Sequence, residues 1–132
     1  MKISSLLACS VLLGFLTSSC SYDPAAAALW ESRSAVKQKL KSPGTADFDT
    51  CRIAARSDEK RLYLVYIAVD SQNGFGATVR NYALAVMASG ESVDKPTAAL
   101  HLEIHEGDIS VARVKELTRE LGNGWTLEPW VG

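Results

Sequence analysis

The stretch from Leu62 to Ala88 leaves this chain the fewest choices. Leu62, Tyr63, Leu64, Val65, Tyr66, Ile67 and Val69 are all apolar or aromatic, and most are β-branched or aromatic. A run this short and this rich in strand formers reads as a strand rather than a helix. Both parities are apolar: Leu62, Leu64 and Tyr66 on one side, Tyr63, Val65 and Ile67 on the other. That pattern predicts a central strand covered on both faces. From Ala77 to Ala88 the character repeats with smaller residues. Tyr82, Leu84 and Val86 share one face; Val79, Ala83, Ala85 and Met87 share the other.

Between the two runs lies Asp70-Ser71-Gln72-Asn73-Gly74-Phe75-Gly76. Asn-Gly between hydrophobic runs signals a hairpin, because both residues tolerate positive φ. The loop is longer than two residues, and Gly76 adds another permissive position. Phe75 stands between the two glycines. The ordinary expectation is that its ring folds back onto the sheet as a plug. The sharper one makes Gln72, Asn73 and Phe75 a contact tip for a partner, since loops on rigid scaffolds often carry function.

The remaining segments cover or tether this hairpin. Asp23 is suited to cap a helix and Pro24 to open it. The alanines that follow favour a helix, with Leu29, Val36 and Leu40 inward, Lys37, Lys39 and Lys41 in solvent, and Trp30 packed over the sheet or at its edge. Ser42-Pro43-Gly44 ends it. Thr50 to Arg56 reads as a first strand, and Ser57 to Lys60 as a polar turn. Ser89 to Pro96 is a loop by composition. Leu100, Leu102 and Ile104 then alternate with His101, Glu103 and His105, predicting a strand with one buried and one wet face. Asp108 or Ser110 can cap a second helix through Leu121, with Val111, Val114, Leu117 and Leu121 toward the sheet and Gly122 at its stop. Trp125, Leu127 and Trp130 form a short last strand or tail, limited by Pro129. The expected fold is α+β: an N-terminal helix, an antiparallel meander of about four strands, a second helix on the same sheet face, and a short C-terminal strand.

The N-terminus sets the compartment. Lys2 precedes a short apolar core ending at Leu16, a secretory signal pattern too short to span a membrane. Thr17-Ser18-Ser19-Cys20 follows and resembles the lipobox of bacterial lipoproteins, although the leucine usual at the place of Thr17 stands one position earlier. The resemblance implies a signal peptide over residues 1–19, a lipidated Cys20 as the mature N-terminus, and one small domain over 20–132 on a short tether. It also implies an envelope location. Ser21, in place of the aspartate that retains enteric lipoproteins at the inner membrane, points to the outer membrane, facing the periplasm, if the cell is Gram-negative. Cleavage at Ala25-Ala26-Ala27, giving a secreted or periplasmic protein, is the competing reading. Two or more acyl chains on Cys20 would anchor stably where one is marginal.

A second resemblance joins two segments. Leu40-Lys41-Ser42-Pro43-x-Thr45-Ala46-x-Phe48 and Val69-Asp70-x-Gln72-Asn73-x-Phe75-Gly76-Ala77-x-Val79-Arg80 resemble a pattern of small, uncharacterised bacterial proteins, LKSPxTAxF followed by VDxQNxFGAxVR. It supports a helix followed by a hairpin and implies no chemistry.

Composition narrows the function classes. A chain of 132 residues, 47% hydrophobic, suits one domain with a real core. Net charge is −1; removing the +1 of Lys2 leaves −2 for the mature part. No basic footprint for nucleic acid exists. Of three cysteines, Cys9 leaves with the signal. Cys51 is then a buried thiol or the donor of an intermolecular disulfide; without lipidation, a Cys20–Cys51 bridge opens. On a strand, His101, Glu103 and His105 point the same way, so adjacent pairs are candidate metal ligands, against the plainer reading of a solvent face. No nucleophile elbow, phosphate loop or dinucleotide fingerprint occurs. The expectation is a non-enzymatic envelope lipoprotein without cofactors, a binding or structural module meeting the membrane and an envelope protein. The alternatives are a secreted inhibitor using residues 72–76 and a metal-binding protein using the His101 strand. The intact mass of membrane-extracted protein is expected to match a chain starting at Cys20 plus acyl chains, and Cys20→Ala to abolish that species.

Overall fold

A computed structural model describes residues 22–90 and 97–132. The expected signal peptide with Cys9 and Cys20, and most of the 89–96 stretch expected to be a loop, lie outside the described residues. The order is α1 (Pro24–Lys39), a 3-10 turn (Pro43–Thr45), β1 (Asp47–Ser57), β2 (Leu62–Gln72), β3 (Thr78–Ala88), β4 (Ala98–Glu106), α2 (Val111–Glu120) and β5 (Thr126–Leu127). Among these residues the strands form one antiparallel sheet, ordered β4-β3-β2-β1-β5. The α+β expectation holds, with β2 in the centre.

Both faces of β2 are buried, by different helices. Val65, Ile67 and Val69 pack with Ala83, Ala85 and Met87 beneath Ala28 and Val36 of α1 and Leu40 just after its end. Leu64 packs with Leu84 and Val86 beneath Val114 and Leu117 of α2, with Val131 of the tail. The second helix therefore covers the face opposite α1, not the same one. The alternation itself forces this: two apolar parities on a central strand need two covers, and one helix supplies only one.

Local chemistry fixes the helix ends. The Asp23 carboxylate accepts from the Ala25 N–H, and Pro24 opens α1. Ser110 caps α2 by accepting from the Arg113 N–H, and Gly122, at φ +96°, follows its end. The tail is latched: Trp130 Nε1 donates to the Ile53 carbonyl at 2.9 Å, and its ring lies under the Arg52 guanidinium at 3.8 Å.

Three side chains depart from expectation. Trp30 does not cover the sheet; it is 70% exposed, because Ala28, Ser32 and Val36 take the inward positions of α1 and place it outside. Leu100 is exposed although its parity matches Leu102 and Ile104. A register shift falls there, Val86 pairing with His101 and Met87 with Ala99, so Leu100 slips out of the alternation. Val111, at the first turn of α2, is also exposed.

If both faces of β2 are core, Leu64→Ala and Ile67→Ala each lower unfolding free energy by about 2–5 kcal/mol in urea titrations. A change within about 0.5 kcal/mol at either position, the behaviour of a surface site, would contradict a two-sided core.

Candidate functional site

The β2–β3 hairpin carries its own register signal. Asp70 and Arg80 stand at equal distances from Phe75 in the sequence and are direct cross-strand partners. Arg80 Nε donates to one Asp70 oxygen at 2.7 Å and Nη2 to the other at 2.6 Å. Its Nη1 reaches Asp49 of β1 at 3.2 Å. One guanidinium thus ties three strands just below the tip. The pairing holds the Asp70 carboxyl below its ordinary range, chiefly through the hydrogen bonds from Arg80, and raises the Arg80 pKa in turn.

Above this clamp, Asn73 organises the loop. Its Oδ1 accepts from the Phe75 N–H at 2.9 Å and the Ala77 N–H at 3.0 Å. Its own N–H donates to the Ala77 carbonyl, and its carbonyl accepts from the Gly76 N–H. The expected positive φ at Asn73 and Gly74 is not adopted; Gly76, at φ +80°, is the left-handed residue of this turn. A five-residue loop puts the chain reversal one step later than a two-residue Asn-Gly turn would. Asn73 is half-buried and holds the loop together, while Gln72 is exposed.

Phe75 is 99% exposed. The plug expectation fails because hydrogen bonds on both sides of Phe75 direct its backbone outward, and no apolar neighbour draws the ring back. The 3-10 turn braces the loop from below: Thr45 Oγ1 accepts from the Gln72 N–H at 2.9 Å and donates to the Ser42 carbonyl at 2.8 Å. The two segments LKSPxTAxF and VDxQNxFGAxVR meet at that bond. Beside it, a hollow of about 150 Å³ opens between Lys39, Lys41, Gln72, Asn73 and Glu106.

His101, Glu103 and His105 share one face of β4, as the period-2 reading requires. Glu103 is not left for a metal. Arg113 of α2 donates from Nε to Glu103 Oε1 at 2.9 Å and from Nη2 to Oε2 at 2.8 Å. The two imidazoles stand outside this pair, Nε2 of His101 at 3.2 Å and Nε2 of His105 at 3.4 Å from the same carboxylate. Arg113 Nη1 continues to Glu116 and Glu120. A cation would have to displace a guanidinium already seated on both oxygens. Among the described residues no group of three or more His, Cys, Asp or Glu is arranged to hold a metal ion. Arg113 is the residue the sequence reading missed; its place on the sheet-facing flank of α2 was the available signal.

Cys51 lies beneath α1, half-buried, with its thiol 3.5 Å from the Leu29 carbonyl and 3.9 Å from Ser32 Oγ. Tyr66, on the other face, has its phenol pushed up to about 12 by burial first and Asp108 second. Among the described residues, no helix is long and apolar enough to cross a membrane. No family model, curated protein or solved structure matches this chain.

The Glu103 pair has a pH signature. Hydrogen bonds from Arg113, above all, hold its carboxyl down at about 2. A folded pKa below the unfolded value contributes stability above about pH 4.3 that disappears as pH falls toward 2. Glu103→Gln is expected to lose on the order of 2 kcal/mol at pH 6 and to converge on the parent by pH 2. Urea titrations across that range check it; a gap that stays constant would contradict it.

Proposed function

We propose that this chain is an envelope lipoprotein, anchored through Cys20, whose domain is a non-catalytic binding module that meets an envelope protein through the 72–76 loop. The observation that carries the reading is a fully exposed Phe75 on a backbone fixed by Asn73. A free phenyl ring on a loose loop is unremarkable on a protein surface. Here an asparagine side chain is committed to holding the ring out. An ordered loop loses less conformational entropy when a partner closes over it. Burying such a ring contributes about 1.5–3 kcal/mol, the scale of a binding hot spot.

The reading of the module as non-catalytic draws on the titratable groups. Strongly shifted groups tend to collect at active sites. Here Asp70 with Arg80, and Glu103 with Arg113, owe their shifts chiefly to the hydrogen-bonded ion pairs they form, and Tyr66 owes its shift to burial and Asp108. The loop's chemistry asks for an apolar pocket in the partner with polar groups at its rim to meet Gln72, Asp70 and Arg80. A secreted inhibitor would present the same tip to an enzyme cleft, and the intact mass at Cys20 separates the two.

The test is a photo-reactive phenylalanine analogue at position 75 in living cells, with the same analogue at Lys115 on α2 as control. A discrete protein adduct at 75 alone is expected, and Phe75→Ala, folded as the parent by circular dichroism, weakens binding to that partner by about ten- to a hundredfold. Adducts confined to lipid, or identical at both positions, would overturn the proposal.

A further inference from the structure

The outward side of α1 is a stripe of aromatic and basic groups. Ala26, Trp30, Arg33, Ser34 and Lys37 are exposed along it, opposite the inward Ala28, Ser32 and Val36. The Trp30 indole is 70% exposed. Beside it a hollow of about 340 Å³ is lined by Trp30, Arg33, Ser34, Lys37 and Phe48, with the Arg33 guanidinium 6.0 Å from the Phe48 ring. Glu31 lies off this stripe, against the opposite flank with Met87 and Ala99.

Arg33 and Lys37 stand on this stripe, while Lys39 and Lys41 line the hollow beside the hairpin; the segment as a whole is basic. From Pro24 to Lys41 there are four basic residues (Arg33, Lys37, Lys39, Lys41) and one acidic (Glu31), a net +3. The whole chain is −1, so the remainder carries −4. A tryptophan flanked by two basic side chains, on a protein that is acidic elsewhere, suits contact with anionic headgroups. An indole settles at headgroup level, and Arg and Lys pair with phosphate.

The place of the anchor adds a length constraint. Pro24 lies four residues after Cys20, and a fully extended tether of that length reaches at most about 14 Å. Trp30 lies six residues further along the helix, about 9 Å. With acyl chains on Cys20, the stripe cannot leave the neighbourhood of the bilayer surface.

We infer that α1 lies against an anionic phospholipid surface, with Trp30 among the headgroups and Arg33 and Lys37 on their phosphates. This rests on the lipid anchor of the proposed function for its geometry, while the charge and exposure of the stripe stand apart from it. The face that bears α2 then looks away from the bilayer.

The test uses the full mature protein in vesicles of phosphatidylcholine, with or without phosphatidylglycerol, with brominated acyl chains as quencher. Trp30→Phe is expected to lose most of the tryptophan quenching, and Arg33→Glu with Lys37→Glu to weaken it in the anionic vesicles. Quenching equal in the parent and Trp30→Phe would overturn the inference even where the mass shows acyl chains. If the mass shows none, the unlipidated protein is put on phosphatidylglycerol vesicles at low salt. Salt-sensitive binding, reduced about tenfold or more by the two charge reversals, would sustain the headgroup face without the anchor, and no binding would overturn it.

Discussion

β2 must hide both of its faces, and the layout of the domain follows. Leu64 and Ile67 point to opposite sides of the sheet and both are inaccessible to solvent. One element before the strand and one after it supply the covers. α1 closes over Val65, Ile67 and Val69, and α2 with the C-terminal tail closes over Leu64 and its neighbours. The inward residues of α1 include the small Ala28 and Ser32, which let the helix approach closely. The same helical rotation that turns these inward turns Trp30, Arg33 and Lys37 out.

Held between β1 and β3, β2 runs on to Gln72, and polar bonds rather than a core take over there. Arg80 clamps Asp70 and Asp49; Asn73 closes the loop; Thr45 props it from beneath. Exposed ion pairs contribute little to stability individually. Their value here is directional, because each fixes one more segment relative to the ring of Phe75. The tip and the α1 stripe are thus two separate consequences of burying one strand, one at its end and one on the back of its cover.

Much of this was legible in the sequence. The two parities of Leu62–Val69 predicted a central strand, Asp23-Pro24 predicted the first cap, Asp108 or Ser110 the second, which Ser110 takes, and Gly122 the stop. Where reading failed, the deciding information was non-local. The two apolar parities already demanded two covers; what the linear pattern left open was which element would take which face. Leu100 matched its alternation and lost it to a register shift against Met87. His101, Glu103 and His105 were rightly placed on one face, but the guanidinium that claims Glu103 comes from a helix ten residues on. Phe75 reads as a plug until the two bonds that Asn73 Oδ1 accepts are known, in a turn where Gly76 rather than Gly74 takes the positive φ.

The hairpin tip is ordered before it meets anything, and backbone amide relaxation of the free protein tests that most directly. The amides of Phe75 and Ala77, both donating to Asn73 Oδ1, should show order parameters near those of the adjoining strands, about 0.85, and fall in Asn73→Ala. Values below about 0.6 in the parent, the range of a freely moving loop, would mean that Phe75 is merely loose, and the case for a preformed contact site would fail.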